Sequence, residues 1–132
     1  SLICMAAHIY EEEITRSGIR AFFTHPEFEQ TKSKLEKHHG SKSEKVLNSW
    51  RDTWLSDDFK NWNITSLLPR INCPALLLQG DRDEYATKKH LLNIGMNLRG
   101  ARSSHLIRDC GHVPYKEQKE ATLNLITSFI RR

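Results

Sequence analysis

Two short runs hold the residues able to do acid–base chemistry: G-D-R-D-E-Y at residues 80–85 and D-C-G-H-V-P at residues 109–114. Each follows an apolar stretch of strand character, so Asp83 and His112 are expected on loops at strand C-terminal ends. A carboxylate placed there can accept the imidazole Nδ1–H, fix the tautomer and stabilise the imidazolium, which makes the ring a general base. Gly111 permits a sharp turn before His112, and Pro114 stiffens the exit. Asp81 is the competing carboxylate. Taken singly, a surface aspartate and a loop histidine need never meet; the two strand contexts together favour the pair. Such a base needs a nucleophile to activate. Cys110 lies two residues from His112 on a tight loop, where two side chains rarely face each other, and reads as a structural thiol. Ser17 is followed by glycine but falls inside an expected helix, and Gly40-Ser41-Lys42 lacks a second glycine.

The elements that would position these loops have two textures. Residues 1–7 (S-L-I-C-M-A-A) are a short apolar run of strand type. The chain opens directly into it, so further natural sequence is expected upstream. Residues 10–69 are charged, aromatic and without convincing strands. A helix over 11–23 would turn Ile14, Ile19, Phe22 and Phe23 inward. A second over 26–39 would place Pro26 in its first turn and stop at Gly40. A third would run from Ser41 or Ser43 to Leu55, with Val46, Leu47, Trp50 and Trp54 at helical spacing. Trp62, Ile64, Leu67 and Leu68 would lie in a short fourth.

From residue 71 the character changes. Residues 75–79 are apolar on both faces, the pattern of a strand covered on both sides of a parallel sheet. Residues 87–98 read as a helix with Leu91, Ile94 and Leu98 on one face, capped at Gly100. Residues 104–107 read as another strand. Residues 115–131 read as one amphipathic helix with a stripe of Ala121, Leu125, Ile126, Phe129 and Ile130. Strand, helix, strand, helix at this spacing is a right-handed parallel unit. The boundaries expected are therefore 1–9 for a first strand, 10–69 for a helical insertion and 70–132 for the remaining core.

Composition narrows the partners. A chain of 132 residues suffices for one modest core. The net charge of +4 is spread along the chain. Its densest basic stretch, residues 32–39, contains Glu36 and lacks the aromatic interleaving of a nucleic-acid surface, so no nucleic-acid partner is expected. No apolar run approaches the ~20 residues needed to cross a bilayer, and no basic segment precedes the first apolar run as in a signal peptide. Three cysteines without a C-x-x-C pattern fit buried thiols in a reducing compartment, the cytoplasm. His38 and His39 are consecutive on an expected helix and cannot both face one metal, so neither metal nor other cofactor is expected. The N-I-T at residues 63–65 carries no weight as a glycosylation acceptor without a secretory signal.

The runs I-N-C-P-A-L-L-L-Q-G-D-R-D-E-Y and G-A-R-S-S-H-L-I-R-D-C-G-H-V-P, with the closing helix ending F-I-R-R, resemble the C-terminal half of an α/β-hydrolase with a helical cap. The resemblance spans essentially the whole chain. It implies an α/β fold: about three parallel strands flanked by helices, with an all-helical cap inserted after the first. It implies Asp83 as the triad acid and His112 as the base. Residues near Ala7 and His8, where some members place the acid, offer no carboxylate. Trp50, Trp54 and the run D-T-W-L make the cap most similar to bacterial members acting on small esters or on carbon–carbon bonds of diketone acids. Under that resemblance Trp54 is the first candidate to line an apolar substrate pocket, with Tyr85, Phe22 and Trp50 behind it and Glu84 a solvated neighbour. The family's nucleophile stands in G-x-S-x-G after strand five, and this sequence has no such motif. The chain alone is expected not to turn over esters. The alternative reading is a non-catalytic α/β module that binds itself or a partner. Residues 1–7 would leave an open apolar edge, a hazard for association, so a homo-oligomer is expected.

Overall fold

A computed structural model describes residues 1–131. The chain separates into two compact units: residues 1–10 with 63 onward, and residues 11–62. The first holds a three-stranded parallel sheet in the order β1 (Leu2–Met5), β2 (Ala75–Gly80), β3 (Arg102–Ile107). Leu2 pairs with Ala75 and Met5 with Leu78; on the other side Ala75 pairs with Arg102 and Gly80 with Ile107. All six residues of β2 are buried, as its unbroken apolar run requires. Ala75 and Leu77 face Leu91, Ile94 and Leu98, with Ile9 and Leu68, on one side of the sheet. Leu76 and Leu78 face Ile107 and Cys110 on the other, against Leu125, Ile126 and Phe129. The successive leucines thus serve opposite layers, each contributing roughly 1.5–3 kcal/mol through burial.

The layers are α4 (Lys89–Asn97) on one face and α6 (Lys119–Ile130) on the other. The helix expected over 115–131 is broken. A single turn, α5 (Pro114–Glu117), ends at Gln118, whose φ of −131° and ψ of 57° leave the helical region. The break is held by side chains: Gln118 Nε2 donates to the Asp109 carbonyl at 3.0 Å, and Thr122 Oγ1 donates to the Pro114 carbonyl at 3.0 Å. Gly100 does not cap α4, whose C-cap is Leu98. A Cβ at Gly100 would lie 2.1 Å from the Cys73 carbonyl oxygen, so this glycine serves a close backbone approach instead.

The second unit contains α1 (Glu13–Thr24), α2 (Phe28–His39) and α3 (Ser43–Leu55). Gly40, at φ +56°, stops α2, and a 3₁₀ turn (Gly40–Lys42) leads into α3. The inward face of α1 differs from the one expected. Ile19 is buried but Ile14 is only partly so, and Thr15 and Arg16 take the buried places. Arg16 is tolerated there because its guanidinium donates to the carbonyls of Trp54, Leu55 and Ser56 at 3.3, 2.8 and 3.2 Å. These include orphan carbonyls at the C-terminal end of α3, where a cation is favoured. Phe22, Phe23, Phe28 and Trp50 form one aromatic cluster, and Trp54, Phe59 and Trp62 another. Val46, expected at a core spacing, is 43% exposed.

The boundary expected after residue 69 falls after residue 62. The 3₁₀ turn Thr65–Arg70 belongs with the sheet because Leu68 and Ile64 join the core beneath β2, and because Ile64 N–H donates to the Ile9 carbonyl at 2.8 Å.

Candidate active site

Asp83 and His112 meet beyond the C-terminal ends of β2 and β3, the region where open parallel sheets gather their chemistry. Gly80 ends β2 against the histidine loop; a Cβ there would lie 2.1 Å from the carbonyl oxygens of both Cys110 and Gly111. Only glycine allows that approach. Beyond it, the Asp81 carboxylate accepts the Cys110 N–H at 3.2 Å, and Arg82 N–H donates to the Cys110 carbonyl at 2.9 Å. The Arg82 guanidinium also pairs with the carboxylate of Asp109, which sits in the left-handed region at φ +53°. Asp81 therefore supports the loop and does not address the imidazole.

Asp83 folds back on its own loop. Its Oδ1 accepts the N–H groups of Tyr85 at 2.9 Å and Ala86 at 3.1 Å, and lies 3.0 Å from His112 Nδ1. The Asp83 side chain is 1% exposed and that of His112 31% exposed. Burial alone would raise the Asp83 carboxyl. The hydrogen bonds from His112, Tyr85 and Ala86 and the imidazolium charge outweigh it and hold the carboxyl below its usual range. Burial likewise pushes His112 down, but the hydrogen bond to Asp83 and the charges of Asp83, Glu84 and Glu117 carry it above an ordinary histidine. An ionised Asp83 can only accept, so Nδ1 carries the proton and Nε2 is left with its lone pair. Among the described residues none hydrogen-bonds to Nε2. That atom is placed to take a proton.

Other side chains close around the pair. Tyr85 meets the His112 ring edge-on at 4.9 Å between centroids, and His8, just past β1, does so at 5.8 Å. His90 is fully buried, stacks on Tyr10 at 4.3 Å and accepts the Ile9 N–H at its Nδ1. Ala6, at φ +48°, bends the chain between β1 and His8. Gln79 of β2 donates from Nε2 to the Ala86 and Thr87 carbonyls at 3.0 and 3.2 Å and faces Asp83 Oδ2 at 3.4 Å. Glu84 is exposed, yet its carboxylate accepts the His112 N–H at 3.2 Å and is more than a solvated neighbour. Sequence spacing alone assigns no role at this site to Gln79, His8, His90 or Glu117. A polar residue inside an otherwise apolar buried strand was the available signal for Gln79.

Cys110 is 0% exposed and packs with Leu76, Leu78 and Ile107 on the face of the sheet covered by α6. Burial, with the carboxylates of Glu117, Asp81, Asp83 and Glu84, pushes its thiol up. It stays protonated and makes no nucleophile. The three cysteines are free thiols. Among the described residues no group of three or more His, Cys, Asp or Glu side chains could hold a metal, and no helix is long and apolar enough to cross a membrane. Trp54, Phe22 and Trp50 lie half-buried within the helical unit, packed on the aromatic neighbours described above. Tyr85 is the one substrate-lining candidate beside His112 in the sheet unit.

No protein-family model matches the sequence. Solved structures do. A serine hydrolase involved in carbazole degradation (CarC) superposes with a TM-score of 0.70 at 14% identity, over 98% of this chain and 53% of that one. The meta-cleavage product hydrolase CumD of Pseudomonas fluorescens IP01 gives 0.62 at 16% identity, over 98% and 54%. A bacterial membrane phospholipase A gives 0.54 at 28% identity, over 65% of this chain and 27% of that one. The chain spans about half the length of the first two, and less of the third.

Proposed function

The chain carries the C-terminal portion of an α/β-hydrolase fold, and from that premise we propose that it supplies the acid and base of a serine-type hydrolase, with the nucleophile and oxyanion hole contributed by residues outside this sequence. The observation that carries the reading is the 3.0 Å contact between Asp83 Oδ1 and His112 Nδ1 at the ends of two adjacent parallel strands, with Nε2 unoccupied. In that role Nε2 takes the proton of a serine hydroxyl as its oxygen bonds to the substrate carbonyl carbon. It then gives the proton to the leaving group, and a water molecule repeats the sequence to release the acid. Asp83 stays ionised throughout and stabilises the imidazolium. The helical unit is read as the substrate-selecting cap, Trp54 being the first candidate for contact with an apolar substrate, then Phe22 and Trp50, with Tyr85 beside the base. Small esters, or carbon–carbon bonds of diketone acids, are the substrate classes. The free thiols favour a reducing compartment, the cytoplasm.

The test has two arms. The isolated chain should leave p-nitrophenyl acetate untouched, because a base without its nucleophile has no covalent route. Joined to the coding sequence upstream of Ser1, it should hydrolyse the ester, and His112→Ala should remove on the order of 10⁴-fold or more of kcat. An isolated chain whose activity vanishes in His112→Ala would show that a nucleophile lies within it. Upstream sequence without G-x-S-x-G would overturn the catalytic reading.

One observation favours a second reading, a module that associates with itself. β1 is an edge strand of the sheet, and Met5 on it is 38% exposed. Such an edge can pair with another copy. Light scattering at micromolar concentration should return a dimer; a monomer rules this reading out.

A further inference from the structure

Three consecutive backbone N–H groups around the base, those of Gly111, His112 and Val113, are each taken by a carboxylate. Glu117 Oε2 accepts from Gly111 at 2.6 Å and its Oε1 from Val113 at 2.8 Å, so one side chain on α5 bridges both flanks of His112. Glu84 Oε2, from the loop that carries Asp83, accepts from His112 itself at 3.2 Å. The two carboxylates converge over Gly111, where a Cβ would lie 2.8 Å from Glu117 Oε2 and 3.0 Å from Glu84 Oε2. Charge-assisted bonds of this length are about twice as strong as neutral ones. We propose that Glu84 and Glu117 are positioning residues for His112, acting together as a clamp that holds the loop backbone, and through it the ring, in register with Asp83.

The clamp carries charge as well as geometry. Two negative groups flank a ring that is already paired with Asp83, so they favour the imidazolium. The other groups near the ring are Tyr85 from the same loop and His8 from the end of β1. Asp81, which holds the Cys110 N–H, is a further negative group on that loop. The tyrosine brings no opposing charge. The inference deepens the proposed role of His112 as a base, yet it is read out without any catalysis.

The experiment is an NMR titration of the His112 ring and of the loop amides in the full chain. In Glu117→Gln the His112 midpoint should fall by several tenths of a pH unit. In Glu84→Gln it should fall as well, because that carboxylate sits on the His112 amide itself and its charge acts on the ring. The double variant should fall furthest. In the unaltered chain the Gly111 and Val113 amide protons should lie downfield and shift with pH in the carboxylate range, a readout that survives if a variant fails to fold. Flat amide titrations, or a His112 midpoint the same in every variant, would overturn the clamp. Loss of the hydrolase reading would show instead as an absence of activity in the longer protein, with these titrations unchanged.

Discussion

Gln79 Nε2 lies 3.4 Å from Asp83 Oδ2, on the side of the carboxylate away from His112. The same nitrogen donates to the carbonyls of Ala86 and Thr87, so one buried amide braces both the acid and the loop that presents it. Gln79→Leu keeps similar bulk and removes the donor. It should cost about 1–3 kcal/mol, because the Ala86 carbonyl is left buried without that partner. Gln79→Glu should cost at least as much, since it sets a second carboxyl beside Asp83. Urea denaturation of the two variants checks this; unchanged midpoints would show that the amide does not brace the loop.

The pair also sets a pH window for stability. His112 titrates higher in the folded chain than its ordinary 6.5, so its contribution is fully present below that value and lost as pH rises through the folded midpoint. Asp83 titrates lower than its ordinary 3.8, so its contribution is present above that value and lost as pH falls through the folded midpoint. The pair therefore stabilises most between the two. Asp83→Asn should bring the His112 midpoint down and flatten the pH dependence of unfolding across neutrality. A His112 midpoint by NMR at or below 6.5 in the unaltered chain would contradict the arrangement.

Arg16 is the structural charge of the helical unit. It closes the end of α3 through three carbonyls and lies 3.9 Å from Glu11. Arg16→Met keeps the buried stem and removes the donors. It should destabilise the unit by roughly 1.5–3 kcal/mol, the range for hydrogen bonds to charged groups. Tryptophan fluorescence follows the loss through Trp54 and Trp62. Arg16→Lys should recover only part of it, since one ammonium cannot reproduce the planar fork.

Gly80→Ala places a methyl group 2.1 Å from two carbonyl oxygens of the histidine loop. Backbone on both sides cannot yield cheaply, so the loss should exceed the roughly 1–3 kcal/mol of ordinary overpacking. The His112 ring resonances should move as well, because its loop is what the methyl displaces. A variant with unchanged thermal midpoint and unchanged His112 shifts would refute the close approach.

The sequence by itself determined the sheet and the meeting of its loops. An apolar run with both faces covered, Ala75 to Gln79, has few homes other than the middle of a parallel sheet, and β2 is flanked by β1 and β3. Because neighbouring parallel strands end side by side, the loops bearing Asp83 and His112 were bound to be neighbours. What only the tertiary structure decided was which atom faces which. Asp81 and Asp83 are two residues apart, and the direction of the backbone after Gly80 sends the first to the Cys110 amide and the second to the imidazole. Glu84 reads as a solvated neighbour until the His112 amide is seen to need an acceptor, and Gln79 reads as part of an apolar strand until the loop carbonyls of Ala86 and Thr87 are seen to need a donor. The burial of Arg16 was not legible, because periodicity records which residues can be buried by their apolar area, not which charges are buried by their partners. The boundary after residue 62 has the same cause: it depends on contacts between segments distant along the chain, such as Ile64 with Ile9, and a pattern read within one segment carries no information about the group that will lie against it. The break at Gln118 is set by side chains reaching the loop and turn just before it, Gln118 to Asp109 and Thr122 to Pro114.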